Sequence, residues 1–325
     1  MTTRSLRGRR AAAVWSGLGA IYLIWGSTYL AVMVAIRTMP PLLMSSVRFL
    51  LAGAVLYIWA RRREQGASLA PNGRQWLAAG TTGFALLLIG SGGIAWAEQR
   101  LDSGVAALLG ASVPLWIALL DRLVFGSRLS RAAMLGLGIG LAGVFVLVSP
   151  ASSGVNLVGA VAILLSSLGW AAGSLHARSS PLPRSPLLAA SMQMLAGGAL
   201  LGVAGIAAGE VSRVRPEAVS ASSLGAFAYL VIGGSLVAYP LYGWLLRSAS
   251  TSVVMTHAYV NPAVAVLLGW AVLAEPLTSS TLVAGAAIVV SVILIVAARS
   301  VPSRGRVLAF PRAWRGAEPA VDQAA

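Results

Sequence analysis

The chain has 325 residues, 58% of them hydrophobic and only 10% charged, with a mean hydropathy of +0.82. A soluble domain carries roughly 25% charged residues, so most of this chain is expected to face lipid or other helices. The net charge is +15 and every basic residue is Arg. The arginines lie between apolar segments rather than on a polar domain, which favours membrane topology over nucleic-acid binding, and the lack of Cys excludes disulfides, thiolate metal sites and cysteine nucleophiles.

At the N-terminus "RSLRGRR" precedes an apolar run from Ala11 to Ile36, which exceeds the ~7 to 15 residues of a signal-peptide core and reads as a retained first span. A window of about 20 apolar residues predicts ten spans, at 12–36, 42–60, 75–97, 103–124, 131–149, 155–177, 185–207, 223–246, 251–274 and 279–298. No connection between them is long enough for a soluble domain. With the N-terminus inside, one side receives the arginines of both termini together with Arg61, Arg62, Arg63, Arg74, Arg122, Arg128, Arg131, Arg178, Arg184 and Arg247. The other side receives only Arg37, Arg100, Arg213 and Arg215. Cytoplasmic loops retain Arg, so both termini are expected in the cytoplasm.

The second half of the chain repeats the first at a spacing of about 145 residues. "PPLLMSSVRFLLAGAVL" from Pro40 matches "SPLLAASMQMLAGGALL" from Ser185, with Arg48 over Gln193. "SGVAALLGASVPLWIALL" from Ser103 matches "TSVVMTHAYVNPAVAVLL" from Thr251, with Pro114 over Pro262. Each copy holds five spans. Because five is odd, the copies must lie upside down relative to each other, as in alternating-access carriers with a site near the midplane.

In the order, spacing and repetition of "YLIWGSTYLAV", "PPLLMSSVRFLLAG", "AYVNPAVAVLLG" and "EPLT", the chain resembles the EamA family of the drug/metabolite transporter superfamily, particularly its YedA-like inner-membrane permeases. The resemblance runs to about Ala298. It implies an all-α integral membrane protein of ten transmembrane helices, arranged as two inverted five-helix repeats (1–150 and 151–298) around a central cavity. It further implies a secondary transporter in a bacterial inner membrane, usually an exporter of amino-acid-like metabolites or drugs.

Several residues are candidates for the substrate pathway. Trp25 on span one and Trp170 on span six are repeat equivalents, and an inward pair would offer an aromatic wall to an amphipathic or cationic substrate; packing is the alternative. Arg48 lies about 10 Å into a core of about 30 Å. An Arg there costs roughly 2.5 to 3.5 kcal/mol, so it is expected either to face the cavity and hold an anionic group or a helix C-terminus, or to bond backbone carbonyls or snorkel outward. Its mate Gln193 keeps polarity without charge. His257 and Asn261 share a face of span nine, His257 being either a proton-coupling residue or a satisfied buried imidazole, and Asn261 a cavity or interhelical donor.

Pro114 and Pro262 are expected to break their helices by leaving the carbonyls of Gly110 and Ala258 without donors. Glu98, in "AWAEQRLDSG", is either a second proton-coupling residue or part of a solvated cluster with Arg100 and Asp102. Glu275 is expected to be structural. The small pairs Gly136/Gly140 and Gly198/Gly202 should let helices approach closely. The tail from 299, with Phe310 and Trp314, is basic and Pro-rich, and is expected to be disordered and to touch anionic lipid.

The sequence carries no phosphate-binding loop, no His-Glu-x-x-His and no Gly-x-Ser-x-Gly, so no cofactor, no metal and no catalytic residue is expected. The expected partners are a small-molecule substrate, the bilayer and a coupling ion, with the proton as candidate. Alternative readings are a membrane-embedded enzyme or lipid-handling protein, for which Glu98, Arg48 and His257 are sparse material, and a passive metabolite channel.

Overall fold

The computed structural model describes residues 3–63, 70–126, 130–149, 155–249, 251–254 and 256–299. The expected lipid-touching tail with Phe310 and Trp314 lies outside those residues, as does Arg128. All regular structure among the described residues is helical. That follows from the solvent, because a backbone in hydrocarbon must satisfy its own hydrogen bonds.

Nine of the described helices are long and apolar enough to cross a membrane: α1 (Ala12–Ala35), α2 (Pro41–Arg63), α3 (Gly73–Ala97), α4 (Ser103–Val124), α5 (Arg131–Val148), α6 (Leu157–Ser179), α7 (Pro186–Ala207), α8 (Ala221–Leu245) and, last in the chain, α10 (Ser279–Ala298). The expected span at 251–274 is interrupted. A single turn, Thr251–Val254, comes first, and α9 (His257–Leu273) follows with only 17 residues. Side chains set many of the helix starts. Asn72 and Gln75 form a reciprocal capping box on α3, and Ser130, Asn156, Ser185 and Ser220 accept from the third backbone N–H of α5, α6, α7 and α8.

Two kinds of irregularity recur. α3 and α8 each contain a π segment, Phe84–Gly92 and Leu230–Val237, at corresponding places of the two halves. α1 breaks at Ser27, whose hydroxyl donates to the carbonyls of Leu23 (2.6 Å) and Ile24 (3.0 Å), and α4 breaks at Ala111 and Ser112. Pro114 sits in the first turn after that break, where its missing N–H costs nothing. Pro262, expected to break span nine, is instead accommodated inside α9, and the interruption falls nearly two turns earlier, at Thr256. There the Thr256 hydroxyl donates to the carbonyl of Val253 at 2.6 Å, a local bond that competes with helix continuation.

Glycines define the seams. A Cβ added to Gly53 would meet Met194 and Leu195, one on Gly198 would meet Leu50, one on Gly202 Ser46, and one on Gly205 Leu43. Residue numbers fall along α2 as they rise along α7, so these helices run antiparallel. The Ser46 hydroxyl closes the seam by donating to the carbonyl of Gly198 at 2.8 Å. α5 and α10 repeat the pattern, with Gly136 against Leu294 and Ile295, and Gly143 against Ala284, Ala287 and Ile288. Small residues at such seams let two backbones approach until dispersion contacts accumulate, which in lipid replaces the missing hydrophobic drive.

Two carboxylates, Glu210 buried and Glu275 half-buried, cross from the second half to helix starts in the first. Glu210, after α7, accepts from the N–H groups of Leu42 (3.0 Å) and Leu43 (2.9 Å) at the head of α2. Glu275, after α9, accepts from the N–H (2.8 Å) and hydroxyl (2.7 Å) of Ser103 and from the N–H of Gly104 (2.9 Å) at the head of α4. An anion at a helix N-terminus meets unpaired N–H groups and the positive end of the dipole. The expected structural role of Glu275 is this cap.

Candidate substrate site

Arg48 lies two turns into α2 and is only 8% exposed. Its Nε donates to Ser235 Oγ at 3.1 Å, and that hydroxyl donates in turn to the carbonyl of Leu230 at 3.2 Å across the π segment of α8. The bond uses one of the five guanidinium N–H donors. Among the described residues no carboxylate pairs with Arg48.

Trp25 reaches the same spot from α1. Its indole N–H donates to the carbonyl of Gly234 at 3.4 Å, while a Cβ on Gly234 would lie 3.0 Å from Arg48 Nη2 and 3.3 Å from Thr28 Cγ2. Both side chains therefore close over one glycine of the π segment. Around the indole stand Tyr242, His257 and Tyr239, with ring centroids 5.0, 5.4 and 5.8 Å away, and Tyr242 and His257 are 5.5 Å from each other. Three of these four contacts are edge-on, an arrangement that suits the ring quadrupoles. His257 Nδ1 lies 2.8 Å from the carbonyl of Val254; because a carbonyl only accepts, Nδ1 carries the hydrogen. Tyr22 and Thr256 share a hydroxyl–hydroxyl bond beside this group.

The other candidates are placed as follows. Trp170 packs from α6 against the π segment of α3, 2.8 Å from where a Cβ on Gly90 would stand. The two tryptophans thus occupy reciprocal positions, each covering a glycine of the opposite half. Gln193 is half-buried, with its carbonyl against Gly83. Asn261 presents its carbonyl to Gly26 at the break of α1, and its Oδ1 is buried without a hydrogen-bond partner among the described residues.

Glu98 departs from the solvated cluster considered above. It is 1% exposed, and neither carboxylate oxygen has a hydrogen-bond partner among the described residues. Arg100 points away to lie over the Trp96 ring, 3.9 Å from its centroid. The last turn of α3 decides this: Ala97 and Glu98 fall on the buried face, Gln99 and Arg100 on the exposed one. An unpaired carboxylate at such burial is costly.

Gly234, Ser235, Tyr239 and Tyr242 were not singled out from the sequence. The signal for them was the pairing of "GSGG" in the third span with "GGS" in the eighth, since π segments gather at functional sites.

The family model described as the EamA-like transporter family matches twice, over residues 14–149 and 157–297. The chain belongs to this EamA family. It is 38% identical over 291 residues to the uncharacterized inner membrane transporter YedA of Escherichia coli (strain K12), which covers 89% of this chain and 92% of YedA. Protein PecM of Dickeya dadantii is 28% identical over 86% of the chain and 91% of its own length. A probable amino-acid metabolite efflux pump of Salmonella typhimurium is 23% identical over 83% and 90%. One crystal structure shares the fold, with a TM-score of 0.60 at 23% identity over 90% of this chain and 100% of its own. As an EamA protein, this chain is a membrane transporter, and the relatives named here as transporters or pumps leave little room for an enzyme.

Proposed function

We propose that this EamA transporter exports small amphipathic anions, amino-acid-like metabolites or drugs, by alternating access between two inverted five-helix halves, residues 1–150 and 151–298. The observation that carries the substrate reading is the convergence of Arg48 and Trp25 on Gly234: a guanidinium with donors to spare beside an open aromatic group. A carboxylate pairs with Arg48, and the apolar part of the substrate lies against Trp25, Tyr242 and His257. Asn261, with its buried unbonded oxygen, offers an acceptor nearby, and Gln193 and Trp170 supply the uncharged counterpart in the other half.

Inversion is supported by the antiparallel seams α2–α7 and α5–α10, by the twofold family match, and by the reciprocal placement of Trp25 and Trp170. The segregation of arginines supports termini in the cytoplasm, and the name of YedA supports an inner-membrane location. Proton coupling falls to Glu98 and His257, the first a buried carboxyl without a partner, the second an imidazole inside the substrate group.

The test is thermal unfolding of the purified protein against carboxylates, amino acids and amphipathic cations, for wild type and Arg48→Gln. A ligand at 100 times its Kd stabilises by about 2.7 kcal/mol. Stabilisation by carboxylates that vanishes in Arg48→Gln supports the reading; cations stabilising both proteins equally would remove Arg48 from it. Saturable counterflow in vesicles separates a carrier from a channel.

A further inference from the structure

The start of α4 has two candidate caps and uses the distant one. Asp102 has the extended backbone of an N-cap residue (φ −62°, ψ 148°), yet its side chain makes no capping bond. The N–H groups of Ser103 and Gly104 are taken instead by Glu275, from the turn after α9. That turn is built for the purpose. Ala274 has φ 54°, which turns the chain back, and a Cβ on Gly269 would stand 2.2 Å from Glu275 Oε2, so only glycine admits the carboxylate. Asp102 and Glu275 line one shallow crevice with Gly104, Val105, Val266 and Thr281.

The start of α2 differs. Pro40 and Pro41 offer neither an N–H nor a side-chain acceptor, so among the described residues Glu210 is its only side-chain cap.

We propose that α4 exchanges caps during transport: Glu275 holds its N-terminus in the state described here, and Asp102 takes over when this face opens, so the Glu275–Ser103 contact is the latch of one gate. Separating α4 from the α9–α10 turn would otherwise strand buried N–H groups, a penalty that a local N-cap removes. The open state then keeps a capped helix start, on Gly104 or Val105, and the two states stay close in free energy, as a cycling carrier requires. Glu210, with no substitute, keeps α2 and the segment after α7 together throughout. This inference rests on the alternating-access reading, but its readout needs no substrate, so the two can fail separately.

The chain has no Cys, so Val266→Cys in the otherwise unaltered protein places a unique thiol behind the latch. The experiment measures its labelling rate by a maleimide in lipid nanodiscs. Glu275→Gln should raise the rate about tenfold, and adding Asp102→Ala should return most of that gain by removing the cap of the open state. Glu210→Gln should leave the rate near that of the parent. An unchanged rate in Glu275→Gln overturns the latch, and a raised rate that Asp102→Ala does not reduce overturns the exchange. If Glu275→Gln does not fold, Ser103→Ala, which deletes only the hydroxyl bond, serves the same comparison with a smaller rise.

Discussion

Arg48 and Trp25, from different helices of the first half, meet over Gly234 of the second, the indole bonding its carbonyl at 3.4 Å and the guanidinium occupying the space of its absent side chain. Gly234→Ala is therefore expected to displace Arg48. Alanine gains about 1 kcal/mol of helix propensity over glycine, whereas overpacking costs about 1 to 3 kcal/mol. The net expectation is a small loss in Tm with a large loss of carboxylate-induced stabilisation, both read from one thermal scan.

Ser235 orients the guanidinium without being placed to touch substrate. Interhelical hydrogen bonds in membranes average about 0.6 kcal/mol, so Ser235→Ala should barely move Tm. Carboxylate affinity should fall about three- to tenfold as the Arg48 plane loosens. Ser235→Thr, which retains the acceptor, should preserve affinity; equal losses in both variants would make the effect one of packing.

Among the described residues Glu210 is the sole side-chain cap of α2, so Glu210→Gln leaves the two N–H groups of Leu42 and Leu43 sharing one neutral acceptor. The expected loss is about 1 to 3 kcal/mol of stability, measured by unfolding in a fixed detergent. Glu210→Asp, too short to span both groups, should fall between.

Asp102 stands outside the spans, and burial, with the Glu275 carboxylate adding, pushes its carboxyl up from the ordinary value. The folded protein then binds a proton there more readily than the unfolded chain, so the charge on Asp102 opposes folding above its folded pKa and this opposition fades as pH falls. Asp102→Asn should raise Tm at pH 7.5 and lose its advantage toward pH 4. A gain independent of pH would assign the effect to something other than this charge.

The α2–α7 seam admits no added volume on its glycine side. Gly198→Leu would force Leu50 and the α2 backbone outward, and the expected result is loss of folded, monodisperse protein on gel filtration. Gly138→Leu, on the same scale of change but with open space around its Cβ position, should be tolerated.

Most spans were legible because a membrane helix announces itself by length and composition alone. The exception, span nine, shows the limit: Pro262 marked the right segment, but the break fell at Thr256, where a hydroxyl competes for a carbonyl. Arg48, Trp25 and His257 were legible as residues expensive or unusual at membrane depth. Their joint position was not, since it depends on the π segment of α8, which has no period of its own in the sequence. Glu98 was misjudged in one of its two readings because one residue of helical phase, about 100°, separates a buried side chain from an exposed one. The caps of Glu210 and Glu275 were hidden for a different reason: their partners lie far away in the chain, in the other half.

The reciprocal tryptophans have an evolutionary corollary. Trp25 belongs to one copy of the duplicated unit and the glycine beneath it to the other, and Trp170 over Gly90 completes the exchange. Each copy supplies the lid for its sibling's bare backbone, so neither is a finished object by itself. Fusion into one polypeptide guarantees that unlike partners always meet, and this frees the siblings to differ: one carries Arg48 and the other Gln193. An ancestral pair of identical chains would have had to carry both charges or none.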